Sequence, residues 1–271
     1  MTVTLFEHPL SPYSQKNKIA LREKGVAFEV VTPDAMGTGH VAGQFAAANP
    51  RGEVPALIDG DTSVFDSTII QDYIEESWPT PALLPTTPAQ RARVRMIEEI
   101  MDTQYEAITW GMMEVRVFDR APGAAGEALL ARAREQLDGL HDWLTTQLGD
   151  ADWFNGAAFG WGDIAVIPFV LGATGYDAGP ALDSALGKWV KRCLARPSVS
   201  QSAAEAQAAA SAVTDSGLLK AALASGAFKR EYRDHRLEWM LRSGGLEVLQ
   251  AGLAAGNIRF SPRASFTCTL F

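Results

Sequence analysis

Cysteine is scarce in this chain, and the scarcity excludes two common ways of holding a fold together. The 271 residues contain only two cysteines, Cys193 and Cys268. Two cysteines supply neither a disulfide framework nor the repeated spacing of a metal cluster, so we expect no metal site. The fold must therefore depend on an apolar core, for which the 47% hydrophobic content is sufficient.

Other absences limit the partners and the compartment. No apolar run approaches the roughly 18 residues that a membrane-spanning helix needs. The net charge of -8 argues against nucleic acid or an anionic membrane as the main partner. The start of the chain also lacks the basic and then apolar pattern of a secretion signal. We expect a cytoplasmic protein that binds neither nucleic acid nor membranes.

The stretch around Ser11 and Pro12 organises the first part of the chain. Residues 3–6 predict a short strand, and an amphipathic helix with Ile19 and Leu21 on its buried side follows. Ser11 is suited to cap that helix, and Pro12 is suited to its first position. The free N–H groups and the positive end of the dipole at such a helix start can also bind an anion. The residues themselves leave both interpretations open.

A second apolar run over residues 27–31 completes a predicted unit of two parallel strands joined by one helix. Residues 37–42 superficially match a dinucleotide-binding fingerprint. That fingerprint requires its glycines at the turn between strand and helix, whereas here five residues, including Pro33, intervene. We interpret residues 37–42 as a loop, followed by a short helix over residues 44–48.

Pro55 introduces a predicted hairpin. It opens an apolar run over residues 56–58, and a turn signal at residues 59–61 leads into a second strand. Pro55 is either an ordinary edge-strand residue or a cis-proline that leaves the backbone of Val54 exposed to an extended, peptide-like ligand.

Asp66 and Ser67 begin the next predicted helix, over residues 68–78. An acidic residue and a hydroxyl at a helix start are common for stability alone. They could also hold the ammonium and carboxylate groups of a ligand. The pattern does not decide between the two.

Strand signals largely disappear beyond a proline-rich linker at residues 78–88. The apolar spacing predicts helices over residues 90–118, 127–148, 163–171, 181–194 and 198–213. The predicted organisation is an α/β domain over residues 1–80, an all-α domain over residues 88–213, and a C-terminal helical extension of unknown role over residues 214–271.

Three signals now stand in order: Ser11-Pro12-Tyr13 at the first helix, Val54-Pro55 before the hairpin, and Asp66-Ser67 at the next helix. With them the sequence resembles the glutathione S-transferases over roughly residues 2 to 200. The serine-type members, such as the tau, Nu and bacterial β-etherase enzymes, are the most similar. The resemblance implies an α/β, thioredoxin-like N-terminal domain that binds glutathione and an all-α C-terminal helical domain that supplies the second substrate pocket.

The resemblance also assigns roles. Ser11 would be the catalytic donor to the glutathione sulfur, with Tyr13 and Ser14 as the alternative donors. The absence of a G-x-S-x-G elbow argues against an attacking serine. The glutathione-binding residues would be Tyr13, Val54, with its backbone on the cysteinyl part, Pro55 in the cis form, and Asp66 and Ser67 on the γ-glutamyl end.

Two positions depart from the family pattern. Asp163 matches the buried aspartate of the helical domain, but Gly160 stands where a hydroxyl cap is usual, so the capping box is incomplete. Lys16 stands where many relatives have arginine, which weakens any bidentate grip on a carboxylate.

The implied function is a detoxifying transferase that activates the glutathione thiolate for attack on a hydrophobic electrophile, by conjugation or by displacement of an ether or halide. The alternative is a non-catalytic protein of this fold that binds ligands or partners. The resemblance further implies a homodimer. Residues that could line an apolar pocket for the electrophile are Trp110, Met112, Met113, Phe118 and Trp161, although aromatic and methionine residues in helices more often belong to the core.

Overall fold

The computed structural model describes residues 2–33, 42–119 and 121–215, together with helical backbone at residues 247, 250, 251 and 254. Residues 37–41 of the fingerprint-like stretch, and the extension after residue 215 apart from those four residues, lie outside this description. The elements in chain order are β1 (Val3–Phe6), α1 (Pro12–Glu23), β2 (Phe28–Val31), α2 (Gly43–Ala48), β3 (Ala56–Asp59), β4 (Thr62–Phe65), α3 (Ser67–Ser77), α4 (Pro88–Ile100), a π-helical segment (Met101–Tyr105), α5 (Glu106–Arg116), α6 (Ala124–Leu148), α7 (Trp161–Thr174), α8 (Ala185–Leu194) and α9 (Pro197–Asp215).

The four strands form one mixed sheet in the order β2-β1-β3-β4. β1 and β2 are parallel, so the predicted β1-α1-β2 unit is confirmed. β3 is antiparallel to β1 and forms a hairpin with β4, as the turn signal at residues 59–61 predicts. The sheet with its helices, followed by helices alone in the described residues after Pro88, confirms the predicted fold class.

Helix α1 is buried on more than its apolar face. Ile19 and Leu21 are in the core, as predicted, but Lys16 and Lys18 are also almost inaccessible to solvent. α1 packs against α3, α7 and α9 at the same time, which leaves little of it exposed. The prediction of an ordinary amphipathic helix was therefore wrong for the polar face. That face turns toward the helical half of the chain rather than toward water.

The buried lysines of α1 are compensated by carboxylates from other elements. Lys16 Nζ lies 2.8 Å from Glu98 Oε1 on α4. Lys18 Nζ lies 3.1 Å from Glu7 Oε2 and 2.8 Å from Glu205 Oε2 on α9. A buried charge is tolerated only when it is paired and hydrogen-bonded, so these contacts are a condition for burying α1.

The long helix predicted over residues 90–118 is interrupted. It begins at Pro88, behind an N-cap at Thr87, and changes to π geometry from Met101 to Tyr105 before α5. Single-turn π segments widen a helix locally and often occur near functional sites. No helix in the described ranges is long and apolar enough to cross a membrane.

The helix predicted over residues 181–194 begins later, at Ala185. Ser184 caps it by accepting a hydrogen bond from the Gly187 N–H at 3.0 Å. The missed boundary has a local cause, because a serine at the helix start satisfies the first free N–H groups and ends the preceding turn.

The start of α7 explains the departure at Gly160. The buried Asp163 carboxylate accepts hydrogen bonds from the Gly160 N–H at 3.1 Å, the Phe154 N–H at 2.8 Å and the Trp189 indole N–H at 2.8 Å. Burial raises the pKa of Asp163 to about 6 despite these donors. The reciprocal side-chain cap is missing, as predicted, because Gly160 has no side chain.

The Asn155 side chain supplies the missing cap. Its Oδ1 accepts a hydrogen bond from the Gly162 N–H at 3.2 Å, and its Nδ2 donates to the Leu83 carbonyl at 2.7 Å. A Cβ at Gly160 would lie 2.2 Å from Asn155 Nδ2 and 2.3 Å from the Leu83 oxygen. Only glycine fits at residue 160 while Asn155 holds this position.

We therefore predict that Gly160→Ser destabilises the protein, although it restores the hydroxyl that is usual in the family. The added Cβ must displace a hydrogen-bonded amide and a backbone carbonyl, and overpacking of this kind costs about 1–3 kcal/mol. Urea denaturation followed by circular dichroism measures the change. Gly172→Ser is the matched control, because it lies in the same helix and has open space around its Cβ. Equal midpoints for the two variants would contradict the prediction.

Candidate active site

Strand register brings the three predicted site segments to one edge of the sheet. Phe6 at the end of β1 pairs with Ala56 at the start of β3, and Ala56 pairs with Phe65 at the end of β4. The residues just beyond this row are the loop to Ser11, the Val54–Pro55 peptide, and Asp66. Segments that are distant in sequence therefore lie side by side at the carboxyl end of β1.

Ser11 occupies the helix start that the sequence predicts. Its extended backbone precedes α1, Pro12 is the first helical residue, and its Oγ accepts a hydrogen bond from the Ser14 N–H at 3.3 Å. The bond uses the oxygen as an acceptor and leaves the hydroxyl hydrogen available. Ser11 is half-buried, so a ligand can reach it. Ser11 thus combines a cap with an accessible donor.

The two alternative donors are placed differently. The Tyr13 hydroxyl donates to the main-chain oxygen of Asp102 at 2.6 Å, and its ring packs edge-on against Phe169 at 5.5 Å between centroids. Burial raises the pKa of Tyr13, and the charges of Glu106, Asp102, Asp66 and Glu53 raise it further. Ser14 is completely buried, and its Oγ lies 3.5 Å from the His8 N–H.

Val54 and Pro55 lie directly before β3. The Val54–Pro55 peptide bond is cis, as the second of the two interpretations of Pro55 predicts. Val54 is half-buried and takes no part in the pairing of β3 with β1, which runs from Ala56 to Ile58. Its main chain lies at the sheet edge beside the loop that carries Ser11.

Asp66 is the N-cap of α3. Its Oδ1 accepts hydrogen bonds from the Thr68 N–H at 3.0 Å and the Ile69 N–H at 3.4 Å. Asp66 is exposed and has a φ of 76°, which is uncommon for a non-glycine residue and is typical of functional sites. Ser67 is buried, and its carbonyl accepts a hydrogen bond from Asn17 Nδ2 of α1 at 2.9 Å.

The structure adds residues that the sequence patterns do not reveal. Asp102, in the π segment, accepts the Tyr13 hydroxyl on its main-chain oxygen and the Lys16 ammonium on both carboxylate oxygens. No local pattern marks it, because its partners are more than 80 residues away, with separations of 86 and 89. Lys16 therefore binds carboxylates of the protein itself.

The proposed apolar lining is only partly available. Trp161 and Met112 are fully buried core residues, and the Trp161 indole N–H donates to Glu98 Oε2 at 2.6 Å. For these two the alternative interpretation applies, since both belong to the core. Trp110, Met113 and Phe118 are half-buried on and just after α5.

Two protein-family models match this chain. Residues 5–82 match the model of the glutathione S-transferase N-terminal domain, and residues 127–192 match that of the glutathione S-transferase C-terminal domain. The first range contains most of the sheet, α1 and α3, with every predicted site residue. The second contains most of α6, all of α7 and most of α8, with Asp163 and its hydrogen-bond partners.

Individual proteins similar to this chain belong to the same family as the two models. The chain is 32% identical over 216 residues to glutathione S-transferase U28 of Arabidopsis thaliana, covering 76% of this chain and 90% of that protein. A tau-class glutathione S-transferase from mango, Mangifera indica, superposes with a TM-score of 0.65 at 25% identity, over 77% of this chain and 96% of that one. A glutathione S-transferase from Methylobacterium radiotolerans, in complex with glutathione sulfonate, superposes with a TM-score of 0.64 at 29% identity, over 75% and 95%.

The order of the elements and the strand register at the sheet edge are consistent with these family matches. The chain belongs to the glutathione S-transferase family, whose members are transferases that use glutathione as co-substrate.

Proposed function

We propose that this protein binds glutathione at the edge formed by Ser11, Val54 and Asp66, and that Ser11 stabilises its thiolate for attack on a hydrophobic electrophile. The observation that carries the proposal is the row Phe6–Ala56–Phe65, which sets the three segments side by side. A tripeptide-like ligand can then reach a hydroxyl, an extended main chain and a helix start at the same time.

Ser11 is the best donor of the three candidates. Tyr13 has committed its hydroxyl hydrogen to the Asp102 carbonyl, and Ser14 is completely buried. Ser11 is accessible, and only its oxygen is used, as an acceptor of the Ser14 N–H. A thiolate at the start of α1 would therefore meet the Ser11 O–H together with the positive end of the helix dipole.

The interactions available at Ser11 are strong enough to lower the pKa of the thiol without a metal or a general base. A thiol of pKa ~8.5 is mostly protonated at neutral pH, and lowering its pKa by about two units requires roughly 2.7 kcal/mol. A hydrogen bond to a charged acceptor supplies ~1.5–3 kcal/mol. A helix start adds roughly 0.3–1 kcal/mol. The chemistry is then displacement by the thiolate sulfur, as conjugation or as loss of an ether or halide leaving group.

The remaining contacts follow from the groups at the same edge. The main chain of Val54, presented by the cis peptide to Pro55, would pair with the cysteinyl part of glutathione. Asp66 and Ser67 would bind the γ-glutamyl end, where the Asp66 carboxylate faces its ammonium group. The half-buried Trp110, Met113 and Phe118 are the candidates for contact with the electrophile.

The proposal also includes the oligomeric state of the protein and its cellular compartment. Ile69 on α3 is 54% exposed and Met96 on α4 is 45% exposed, so large apolar side chains stand on the surface of both halves of the chain. We infer a homodimer in which these surfaces meet, the α/β domain of one subunit against the helical domain of the other. A reaction that consumes a reduced thiol suits the cytoplasm, where thiols are kept reduced.

We predict that Ser11→Ala raises the pKa of the bound thiol by about one to two units, because the thiolate loses one charge-assisted hydrogen bond. The rate at neutral pH should fall about ten- to a hundredfold, with glutathione affinity nearly unchanged. Conjugation of a generic electrophilic aromatic, measured across pH, tests both. The difference between variant and wild type should shrink as the pH approaches the raised pKa.

Ser11→Ala also removes a helix cap, which costs about 1 kcal/mol of stability. Ser184→Ala is the matched control, since Ser184 caps α8 in the same way. Its rate should equal that of the wild type. A wild-type rate and pH profile in Ser11→Ala would make Ser11 only a cap. A wild type without any glutathione-dependent conjugation would favour the non-catalytic alternative.

We predict that Asp66→Asn weakens glutathione binding by roughly 1.5–3 kcal/mol, because it removes the charge that meets the γ-glutamyl ammonium. Asparagine is as good an N-cap and tolerates positive φ, so α3 should keep its start. Isothermal titration calorimetry measures the affinity. Asp61→Asn, in the exposed hairpin turn, is the control. An unchanged affinity in the folded variant would remove Asp66 from the site.

We predict that the protein sediments at micromolar concentration with the mass of two chains, and that Ile69→Glu shifts it to the mass of one. A carboxylate placed in an apolar interface must be desolvated without a partner, which opposes association. Leu182→Glu is the control, because Leu182 is 88% exposed and belongs to the segment between α7 and α8 rather than to α3 or α4. A monomeric wild type would contradict the inferred dimer.

A further inference from the structure

A buried polar cluster joins the two halves of the chain directly beneath the proposed glutathione site. We call Lys16, Thr68, Glu98, Asp102 and Trp161 the interdomain cluster. Lys16 is fully buried, and its Nζ lies 2.8 Å from Glu98 Oε1 and 2.9 and 2.7 Å from the two oxygens of Asp102. The cluster connects α1 and α3 to α4, the π segment and α7.

Asp102 is the member that contacts both ligand-binding helix starts. Its main-chain oxygen accepts the hydroxyl of Tyr13, two residues after Ser11. Its Oδ2 lies 3.3 Å from the hydroxyl of Thr68, which follows Ser67 and is capped by Asp66. One residue of the helical half thus holds the start of α1 and the start of α3.

Glu98 makes contacts of a different kind. It accepts from Lys16 and Thr68 on Oε1 and from the Trp161 indole on Oε2. It touches the start of α3 but not the first turn of α1, and Trp161 anchors it to the core. Removing the charge of Asp102 would therefore leave Lys16 paired with Glu98 and the Tyr13 bond in place, while it weakens the link that the carboxylate makes between Lys16 of α1 and Thr68 of α3.

The charge of the cluster is unbalanced, with one ammonium group between two carboxylates. Burial raises the pKa of Asp102 to about 6, although Lys16 acts against this rise and Glu98 adds to it. Further charged groups act on the neighbours of Asp102: Asp66 at the start of α3 and Glu106 on α5 act on Tyr13, and Asp72 is coupled to Glu98. Asp102 therefore takes up a proton slightly below neutral pH.

We infer that Asp102 is a positioning residue: its ionised carboxylate, through Lys16 and Thr68, holds α1 and the start of α3 in the relative position that one glutathione molecule must span. The inference rests on the proposed function, since it assumes that glutathione bridges Ser11 and Asp66. When Asp102 is protonated, its contact with Lys16 changes from an ion pair to a weaker bond, and the carboxyl gains a hydrogen that the Thr68 hydroxyl must accommodate.

The test uses S-methylglutathione, which has the peptide arms of glutathione but no thiol to titrate. Its dissociation constant is measured by calorimetry at about pH 7 and about pH 5, where the carboxylates of the ligand are ionised and its amino group is mostly protonated. For the wild type we expect binding about three- to tenfold weaker at the lower pH. For Asp102→Asn we expect binding weaker by a similar factor at the higher pH, and a smaller further loss than in the wild type at the lower one, since the Asp163 carboxylate titrates in both proteins.

Two variants separate positioning from general stability. Asp72→Asn is the matched control, because Asp72 also joins α3 to α4, through Arg95, but contacts neither helix start. It should bind as the wild type does at both pH values. Thr68→Val removes the hydroxyl contacts of α3 with Asp102 and Glu98 and keeps the ion pairs of Lys16, so it should weaken binding at neutral pH even if Asp102→Asn does not fold.

Steady-state kinetics supply a readout that stability alone does not move. Asp102→Asn should raise the KM for glutathione while kcat at saturating glutathione stays within about twofold of the wild type. A folded Asp102→Asn that binds S-methylglutathione as tightly as the wild type at both pH values overturns the inference. If the wild type binds S-methylglutathione at neither pH, the proposed function itself is overturned, and the inference with it.

Discussion

The burial of helix α1 is the constraint on which the rest of the structure depends. α1 lies between the sheet and the helical half, and it brings Lys16, Lys18 and Lys24 out of water with it. Each finds a carboxylate on another element: Glu98 and Asp102, Glu7 and Glu205, and Glu75. Removing every carboxylate partner of one of these lysines would leave a buried charge uncompensated, which is far more costly than the pairing is stabilising. The two halves are therefore held in register by charge as well as by a shared apolar core.

Local features of the fold were predictable from the sequence. A cap and a proline mark the start of α1, a turn signal marks the β3-β4 hairpin, and an acidic cap marks α3, because each depends on residues within a few positions. The predicted site residues follow from the same signals. Their convergence does not, because it requires the register between β1, β3 and β4.

The polar face of α1 shows why the other features of the fold could not be predicted from the sequence. Lys16 and Lys18 would usually be assigned to solvent, and their partners Glu98 and Glu205 lie 82 and 187 residues away. Nothing local distinguishes a lysine that is destined for such a partner from an exposed one. The π segment was missed for a related reason, since Met101 to Tyr105 contain no glycine or proline to mark it. Its role depends on Tyr13, Lys16 and Thr68, which other parts of the fold bring to Asp102.

The exchange of roles between Asn155 and Gly160 restricts how this helix start can evolve. Asn155 in its present position excludes any side chain at residue 160, and glycine at residue 160 makes Asn155 the provider of the cap on Gly162. A lineage that moves from one arrangement to the other must pass through an intermediate that has both side chains or neither. The intermediate with both contains a steric overlap, whereas the one with neither loses only the two hydrogen bonds of the Asn155 side chain. Drift between the two capping schemes should therefore proceed by shortening residue 155 first, and the two positions should change together across related sequences.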